Sequence, residues 1–332
     1  MMTYRYIDLH CDTIYELTDH PDKGDLLRSS LEIDLEKLTK GGALIQDFAL
    51  FVDMGEWPDP WARYQQLLGE FRRQKAKYGD HFRQILCAED VKACEADGRL
   101  GAMLSIEEGG VLGGSLERLH QVYEDGVRLI TLTWNYPNEL AWPNGTEGPD
   151  KGLTEAGRAV VEEMGRLHMI VDTSHLNDAG TREVLMEAKR PPVASHSDAR
   201  AVTAHSRNLP DDLLALFGEK GGLIGLNFSN HFLGSPAVTS FPGRDDIDFS
   251  KGLVQVSLLR DIVRHGMYIM DKAGEDVLCL GTDFDGIEPA LELRDASEMP
   301  RLAEAFLEAG ATETQVEKIF SGNALRYLKE ML

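Results

Sequence analysis

Short runs of hydrophobic, often β-branched residues recur along the chain. Most are followed by a longer stretch in which apolar positions return every three or four residues. Nearly continuous apolar runs are typical of strands buried on both faces, and the longer stretches are typical of amphipathic helices. Their alternation predicts a parallel sheet covered by helices, and eight strands favour closure into a single (β/α)8, TIM-like barrel. The predicted strands are residues 7–10, 43–52, 102–106, 129–133, 169–172, 192–195, 223–227 and 277–280.

A single barrel accommodates all 332 residues, because barrels with insertions reach this length and neither an interdomain linker nor a low-complexity tract interrupts the pattern. We therefore predict one domain over residues 1–332. Residues 53–100 exceed one crossover and are expected to hold extra helices. Long loops are predicted at 137–151 and 233–252, on the face formed by the carboxyl ends of the strands, and the tail 300–332 is predicted to be helical.

The charge balance excludes several classes of partner. The chain has 34 basic and 56 acidic residues, a formal net charge of −22, and such a surface repels nucleic acid and anionic membranes. No apolar run approaches the roughly 20 residues that cross a bilayer, and no signal peptide is evident, so a cytoplasmic location is expected. Four cysteines without a CxxC pair make a disulfide scaffold improbable, and Cys11 and Cys279 are expected to be buried thiols.

Polar clusters follow several of the predicted strands at the point where each strand ends. In barrel enzymes the carboxyl ends of the strands carry the active site, so these side chains are expected to converge. Imidazole and carboxylate groups suit zinc or a similar divalent ion. The candidates are His10 and Asp12 after the first strand, Glu107 and Glu108 after the third, His175 after the fifth, His196 after the sixth, and Asp283 after the eighth.

Each candidate is weak when taken alone. His10 and Asp12 form a common His-x-Asp pattern, and a single histidine such as His175 is more often a hydrogen-bonded core residue than a ligand. The metal interpretation gains strength because four strands deliver ligand types to one rim. A carboxylate can hold one metal with each oxygen, so Glu108 is the candidate bridge, but Glu107 competes for that role and strand alternation does not decide between them.

The order of these motifs resembles that of the membrane (renal) dipeptidases, and in particular a soluble, bacterial-type member of that family of amidohydrolase-like metallopeptidases. Matching segments run from residue 8 to residue 326, which is nearly the whole chain. The most specific are Arg-Asn-Leu-Pro-Asp-Asp at 207–212 and Gly-Thr-Asp-Phe-Asp-Gly at 281–286. The resemblance implies hydrolysis of L-Xaa-L-Xaa dipeptides, and also of L-Xaa-D-Xaa dipeptides, by a hydroxide that bridges two zinc ions or other divalent ions. It also suggests a homodimer.

The resemblance also implies roles for individual residues. His10 and Asp12 would complete one zinc site and His175 and His196 the other, with Glu108, the glutamate directly before Gly-Gly, as the bridge. Asp283 would handle protons at the bridging water. Arg207 would bind the carboxylate of the dipeptide, which its planar guanidinium suits.

One position departs from the family. After the fourth strand, where relatives such as the renal enzyme carry a histidine that meets the substrate carbonyl, this chain has Trp134 followed by Asn135. The Trp134 indole or the Asn135 amide is the expected replacement, and Phe232 is expected to form a wall of the substrate pocket. Asp285 is expected to brace its loop.

Two alternative functions are less consistent with the sequence. Amidohydrolases that act on cyclic amides, lactones or phosphoesters often bridge their metals with a carbamylated lysine on the fourth strand, and residues 129–135 contain none. A catalytically inactive barrel with a binding role is disfavoured because all five ligands and Asp283 are present.

Overall fold

Eight parallel strands form the centre of the molecule. The computed structural model describes residues 4–145, 150–244, 246–250, 252–288 and 290–332. Its strands are Tyr6–Asp8 (β1), Ala43–Phe51 (β2), Phe82–Gln84 (β3), Leu100–Glu107 (β4), Leu129–Thr131 (β5), Ile170–Asp172 (β6), Val193–Ala194 (β7), Leu223–Leu226 (β8), Ala237–Val238 (β9), Val254–Gln255 (β10) and Leu278–Leu280 (β11). The order around the ring is β1, β2, β4, β5, β6, β7, β8 and β11, and pairing of β11 with β1 closes it. The (β/α)8 barrel is confirmed, and so are its eight strands.

Among the described residues, three short strands lie outside the ring and were not predicted. The strand β3 pairs with the first residues of β4, where Phe82 lies opposite Leu100. The strands β9 and β10 form a small antiparallel sheet within and just after the loop predicted at 233–252. Residues 245 and 251 of that loop, and residues 146–149 of the loop predicted at 137–151, lie outside the described residues.

Helices connect the strands and cover the barrel. The α-helices are Thr13–Asp19 (α1), Leu35–Gly41 (α2), Pro60–Tyr78 (α3), Ala88–Asp97 (α4), Leu116–Glu124 (α5), Glu155–Leu167 (α6), Asp178–Glu187 (α7), Asp211–Lys220 (α8), Asn230–Leu233 (α9), Leu259–Ala273 (α10), Met299–Glu308 (α11), Glu313–Glu317 (α12) and Asn323–Met331 (α13). The helices α3 and α4 confirm the prediction for residues 53–100. Asp59 caps α3 by accepting from Ala62, and Pro60 occupies its first turn, where the missing N–H costs nothing. Among the described helices, none is long and apolar enough to cross a membrane.

The barrel interior and the helix layer form separate apolar clusters. Each of the eight ring strands contributes to the interior cluster, which the buried residues of α4 and α13 close at one end. Along β4, Met103 belongs to this interior cluster, whereas Leu104 and Ile106 belong to the larger cluster shared with the helices. Successive side chains of β4 therefore point alternately to the two clusters, as expected of a strand. The odd-numbered residues of β4 face the barrel interior. Cys11 and Cys279 are buried free thiols, as expected.

Candidate metal centre

Buried histidines and carboxylates meet at the carboxyl ends of the ring strands. His10 follows β1, Glu107 ends β4, and the other ligand-type side chains follow β6, β7 and β11. A cavity of roughly 650 Å³ opens over them, and Asp12, Glu107, His175 and Asp283 form part of its lining. The structure thus brings the predicted strand-end residues together at the rim where barrel enzymes place their active sites.

The Glu107 carboxylate lies at the centre of this cluster. Its Oε2 is 3.2 Å from Nε2 of His10, while its Oε1 is 3.1 Å from Nε2 of His175 and 3.4 Å from Nε2 of His196. Burial alone would raise the pKa of Glu107, but the charge of His10 and the contacts with the imidazoles lower it well below its usual range. Glu107 is therefore a buried anion with a different imidazole environment at each oxygen.

The structure corrects the prediction that Glu108 is the bridging and catalytic carboxylate. Glu108 has a φ of 108°, and its side chain accepts hydrogen bonds from the backbone N–H of Gly110 and Trp134 and from the amide of Asn138. Those contacts direct it to the loops after β4 and β5 instead of the histidines. Burial raises the pKa of Glu108 to about 7. Glu108 therefore links the loops that follow β4 and β5. Glu107 lies among the histidines, where the sequence analysis expected Glu108.

His10 and Asp12 point to the same side, as expected for residues two apart. Nε2 of His10 lies 3.4 Å from Oδ2 of Asp12. Burial alone would lower the pKa of His10, but the charges of Glu107 and Asp12 raise it well above its usual range. Neither ring nitrogen of His10 nor Oδ1 of Asp12 has a hydrogen-bond partner within the described part of the chain. Buried polar atoms without partners are costly, and a metal ion that replaced the proton on His10 would satisfy Nε2 of His10 and Oδ1 of Asp12.

The Asp12 carboxylate lies close to the backbone at Gly286. A side chain at Gly286 would put its Cβ 2.0 Å from Oδ2 of Asp12 and 2.9 Å from Oδ1 of Asp283. Glycine at position 286 therefore leaves room for both carboxylates, and a larger residue would displace at least that of Asp12.

Hydrogen bonds set the tautomers of the other two histidines. The Ser195 hydroxyl donates to Oδ2 of Asp172 (2.6 Å), so its oxygen accepts from Nδ1–H of His196 (2.8 Å). Nδ1–H of His175 likewise donates to Oδ1 of Asn135 (3.2 Å). Both imidazoles therefore present the lone pair of Nε2 to the centre, as in metal-binding histidines with supporting partners. Burial lowers the pKa of His175 to about 4 and that of His196 well below its usual value, which favours the neutral, ligating form.

The three acceptors at the centre call for a cation. The two Nε2 atoms of His175 and His196 lie 3.0 Å apart, and both face Oε1 of Glu107. Lone pairs at these separations repel one another unless a positive charge lies among them. His10, Glu107 and His196 offer ligand atoms within 4.8 Å of one another, and so do His10, Asp12 and Asp283. The donor set therefore fits the metal ions that the sequence predicts.

Backbone strain is concentrated at the same rim. Among the described residues, five other than glycine have positive φ, and four of them are Glu108, His175, Asp283 and Asp285. Left-handed backbone is unfavourable for such residues and persists where the surroundings enforce it, often at functional sites. The strain here turns strand-end side chains toward the cavity or toward the loops that frame it.

Asp283 lies beside the candidate ligands, and Asn227 holds it there. Oδ1 of Asp283 is 3.8 Å from Nε2 of His10, and Oδ2 accepts from the Asn227 amide at 2.9 Å. Burial raises the pKa of Asp283 to about 7, with the charge of His10 acting against this rise and that of Asp12 adding to it. Asp285 accepts from the Thr13 hydroxyl and the Glu32 backbone N–H, which is the bracing role expected of it.

Arg207 is a buried cation at another wall of the cavity. Its guanidinium donates to Oγ of Ser197 (2.8 Å) and to the carbonyl of His196 (2.9 Å), and it lies over the ring of Phe232 at 5.7 Å. Burial lowers the pKa of Arg207, yet nearby carboxylates counteract this effect. Within the described ranges, no carboxylate lies within ion-pair distance of Arg207, and its Nε has no hydrogen-bond partner. The predicted substrate-binding residues Arg207, Trp134, Asn135 and Phe232 all line the cavity.

Several supporting residues were not predicted. Asn227 follows β8 as the ligands follow their strands, so the strand-end rule could have identified it. Asp172 and Ser195, which position His196, are also strand-end residues. Phe51 and Tyr15 line the cavity, but they belong to a hydrophobic strand and a helix, where an aromatic residue usually indicates core.

The fold and the site together define a metalloenzyme of the (β/α)8 class, and comparisons with known proteins identify its family. The model of the membrane dipeptidase family matches residues 1–331. A dipeptidase of Aspergillus oryzae is 30% identical over 311 residues, which cover 90% of this chain and 70% of the relative. The chain therefore belongs to the membrane dipeptidase family and is a metallodipeptidase, a hydrolase of peptide bonds.

Solved structures agree in fold over the full length. A metallopeptidase from Rhodobacter sphaeroides, crystallised with a phosphinate mimic of the dipeptide L-Ala-D-Ala, superposes with a TM-score of 0.85 at 26% identity and covers 100% of both chains. The crystal structure of dipeptidase AC, also a metallopeptidase, gives a TM-score of 0.85 at 28% identity and covers 99% of both chains.

Proposed function

We propose that the enzyme hydrolyses dipeptides with two divalent ions, zinc being the ion that the ligand set suits best. His10 and Asp12 would hold one ion and His175 and His196 the other, and Glu107 would be shared between them. The observation that carries this proposal is that the two carboxylate oxygens of Glu107 face different histidines. Oε2 faces His10, whereas Oε1 faces His175 and His196.

The ions and the protein supply different parts of the chemistry. When bound, paired divalent ions polarise a carbonyl and lower the pKa of water to near 7. Asp283 accepts the proton of the attacking water and delivers it to the leaving amine. The hydrogen bond from Asn227 orients Asp283, and a pKa of about 7 lets one carboxyl group both take up and release a proton.

Arg207 anchors the substrate. A buried guanidinium with no carboxylate partner among the described residues suits the terminal carboxylate of a dipeptide, which it can contact with two parallel N–H groups. The cavity of roughly 650 Å³ has the size of a small-molecule site. We include both L-Xaa-L-Xaa and L-Xaa-D-Xaa dipeptides as substrates, and the relative that binds a mimic of L-Ala-D-Ala supports the second class.

The direct test is a substrate panel with purified enzyme. The enzyme is stripped with a chelator, reloaded with zinc, cobalt or manganese, and assayed on L,L- and L,D-dipeptides, tripeptides, lactones, cyclic amides and phosphoesters. Cleavage of dipeptides that depends on added metal, with tripeptides cleaved poorly, is expected. Hydrolysis of a lactone, cyclic amide or phosphoester in preference to every dipeptide would contradict the proposal.

Two further predictions from the sequence are retained, a homodimer and a cytoplasmic location. Light scattering should give twice the mass of one chain. Cell fractionation should recover the enzyme with cytoplasmic markers.

A further inference from the structure

Three aromatic side chains form one wall of the cavity, and we call Tyr15, Phe51 and Trp134 the aromatic wall. The ring of Phe51 packs edge-on against both neighbours, with centroids 5.4 Å from Tyr15 and 4.9 Å from Trp134. Edge-to-face packing of this kind is favourable and holds each ring in one orientation. The wall is therefore a continuous apolar surface beside the metal ligands.

The backbone also fixes the wall. Phe51 is the last residue of β2 and lies opposite Glu107 in the pairing of β2 with β4. The backbone N–H of Trp134 donates to Oε2 of Glu108 at 3.0 Å. Two of the three rings are thus held at the end of β4, Phe51 through strand pairing at Glu107 and Trp134 through Glu108, so the surface is formed before any substrate binds.

Phe51 of the aromatic wall ends the strand that lies opposite the strand preceding Arg207 in the ring. Phe51 ends β2 and Trp134 follows β5, whereas Arg207 follows β7 and Phe232 follows β8. In the ring order β1, β2, β4, β5, β6, β7, β8, β11, the strand β2 lies opposite β7, and β4, which lies between β2 and β5, is opposite β8. Two extended residues span about 7 Å, so a dipeptide anchored at Arg207 reaches toward the aromatic wall with its first residue.

We propose that the aromatic wall binds the side chain of the N-terminal residue of the dipeptide and selects aromatic or large aliphatic side chains there. This inference rests on the proposed dipeptidase activity and on the anchoring of the carboxylate by Arg207. Trp134, at the position where the family's histidine is expected, is the principal specificity-determining residue, because its ring lies between Phe51 and the metal ligand His175, at 6.1 Å from the latter.

The cavity offers one competing recognition element. Glu16 and Glu288 also line it, and they would favour a cationic side chain. Glu16 is paired with Lys23, and Glu288 is exposed, so both acidic groups are partly neutralised or screened. The aromatic wall is therefore expected to dominate, and a lysine-containing dipeptide is the informative competitor.

The test compares dipeptides of swapped sequence on the same metal-loaded enzyme. We expect kcat/KM for Phe-Ala to exceed that for Ala-Ala and for Ala-Phe by about 10- to 100-fold, the usual value of a well-filled apolar pocket. Lys-Ala should not exceed Ala-Ala appreciably. The ratio of Phe-Ala to Ala-Phe is independent of the fraction of active enzyme, because both substrates are measured on one preparation.

Variants assign the preference to the wall. Trp134→Ala should lower the ratio of Phe-Ala to Ala-Phe by about fivefold or more, and Trp134→Leu, which keeps an apolar side chain, should lower it less. Trp61→Ala is the matched control, because Trp61 packs on Tyr64 in α3 and does not line the cavity. That control should leave the ratio unchanged. If Trp134→Ala does not fold, Phe51→Leu serves in its place and should also lower the ratio of Phe-Ala to Ala-Phe.

The outcomes separate this inference from the proposed function. If Ala-Ala is cleaved but Phe-Ala is no better than Ala-Phe, or if Lys-Ala is the best substrate, the dipeptidase proposal stands and the role of the wall is wrong. An equal loss on both swapped dipeptides in Trp134→Ala also contradicts that role. If no dipeptide is cleaved with metal present, the proposed function fails, and this inference fails with it.

Discussion

Glu107 and Glu108 are neighbours in the chain, but their carboxylates belong to different structures. Glu107 faces three imidazole nitrogens at 3.1 to 3.4 Å, whereas Glu108 accepts hydrogen bonds from Gly110, Trp134 and Asn138. One carboxylate therefore lies in the proposed metal centre, and the other fastens the loops that carry Trp134 and Asn135. The pair gives the most direct means of testing the site.

Asp283→Asn should remove the proton carrier without removing the ions. An amide of the same shape can still contact Asn227, but it cannot accept and return a proton. We expect kcat to fall by about 10²- to 10⁴-fold, the usual contribution of a positioned acid–base group, with metal content nearly unchanged. Steady-state kinetics and metal analysis on one preparation measure both quantities.

Asp285→Asn is the control for that experiment. Asp285 braces Thr13 and the backbone of Glu32, so its loss should lower thermal stability more than kcat. If Asp283→Asn retains full kcat and Asp285→Asn loses it, the proton role belongs to Asp285.

Arg207→Ala should weaken recognition of the substrate carboxylate. A hydrogen bond to a charged group contributes about 1.5–3 kcal/mol, so kcat/KM should fall about 10- to 150-fold on free dipeptides. On dipeptides amidated at the carboxyl end the loss should largely disappear. Arg207→Lys should recover only part of the activity, because an ammonium group lacks the planar, two-pronged geometry.

Equal losses on free and amidated dipeptides would give Arg207 a structural role instead. The Arg207 guanidinium also donates to the backbone carbonyl of the proposed ligand His196, so it can position that residue. Metal content of Arg207→Ala distinguishes that outcome, since a displaced His196 would release an ion.

His265 should make the fold sensitive to acid. Its Nδ1 accepts from the backbone N–H of Ala199 at 3.1 Å, and burial lowers its pKa from 6.5 to about 4. Because the folded state binds this proton less readily, the stabilisation is present above about pH 6.5 and is lost as the pH falls toward 4. At 1.36 kcal/mol per pH unit, the loss amounts to about 3 kcal/mol.

Urea unfolding of the chelated enzyme measures this effect without interference from metal release. His265→Gln has no titrating ring, so its free energy of unfolding should fall less than that of the wild type between about pH 7 and pH 4. Parallel pH profiles for the two proteins would show that His265 is not the acid-sensitive group.

The barrel could be predicted because its strands are buried on both faces. The eight apolar runs correspond to the eight ring strands, although β7 is only two residues long. The strand β3 was not predicted because Phe82–Gln84 combines one apolar residue with two polar ones, a pattern that resembles a loop. The small sheet of β9 and β10 was not predicted because each of its strands has only two residues and is partly exposed.

The site could be predicted as far as strand ends determine it. The carboxyl-end rule located the histidines, Asp12 and Asp283, but it gave no means of choosing between Glu107 and Glu108. That choice depends on whether the odd-numbered or the even-numbered residues of β4 face the barrel interior. Both faces of the strand are apolar, so the hydrophobic pattern does not distinguish them. Ser105 was the available signal: it is a polar residue within the strand, it donates to Asp47 in the interior, and Glu107 shares its face.

Metal content per chain in the two glutamate variants tests the central claim most directly. The wild type purified without chelator should hold about two divalent ions. Glu107→Gln should lose occupancy at both sites, because an amide nitrogen offers no lone pair in place of a carboxylate oxygen. Glu108→Gln should keep about two ions while losing stability at its loop contacts. Full occupancy in Glu107→Gln, together with loss of both ions in Glu108→Gln, would contradict the account.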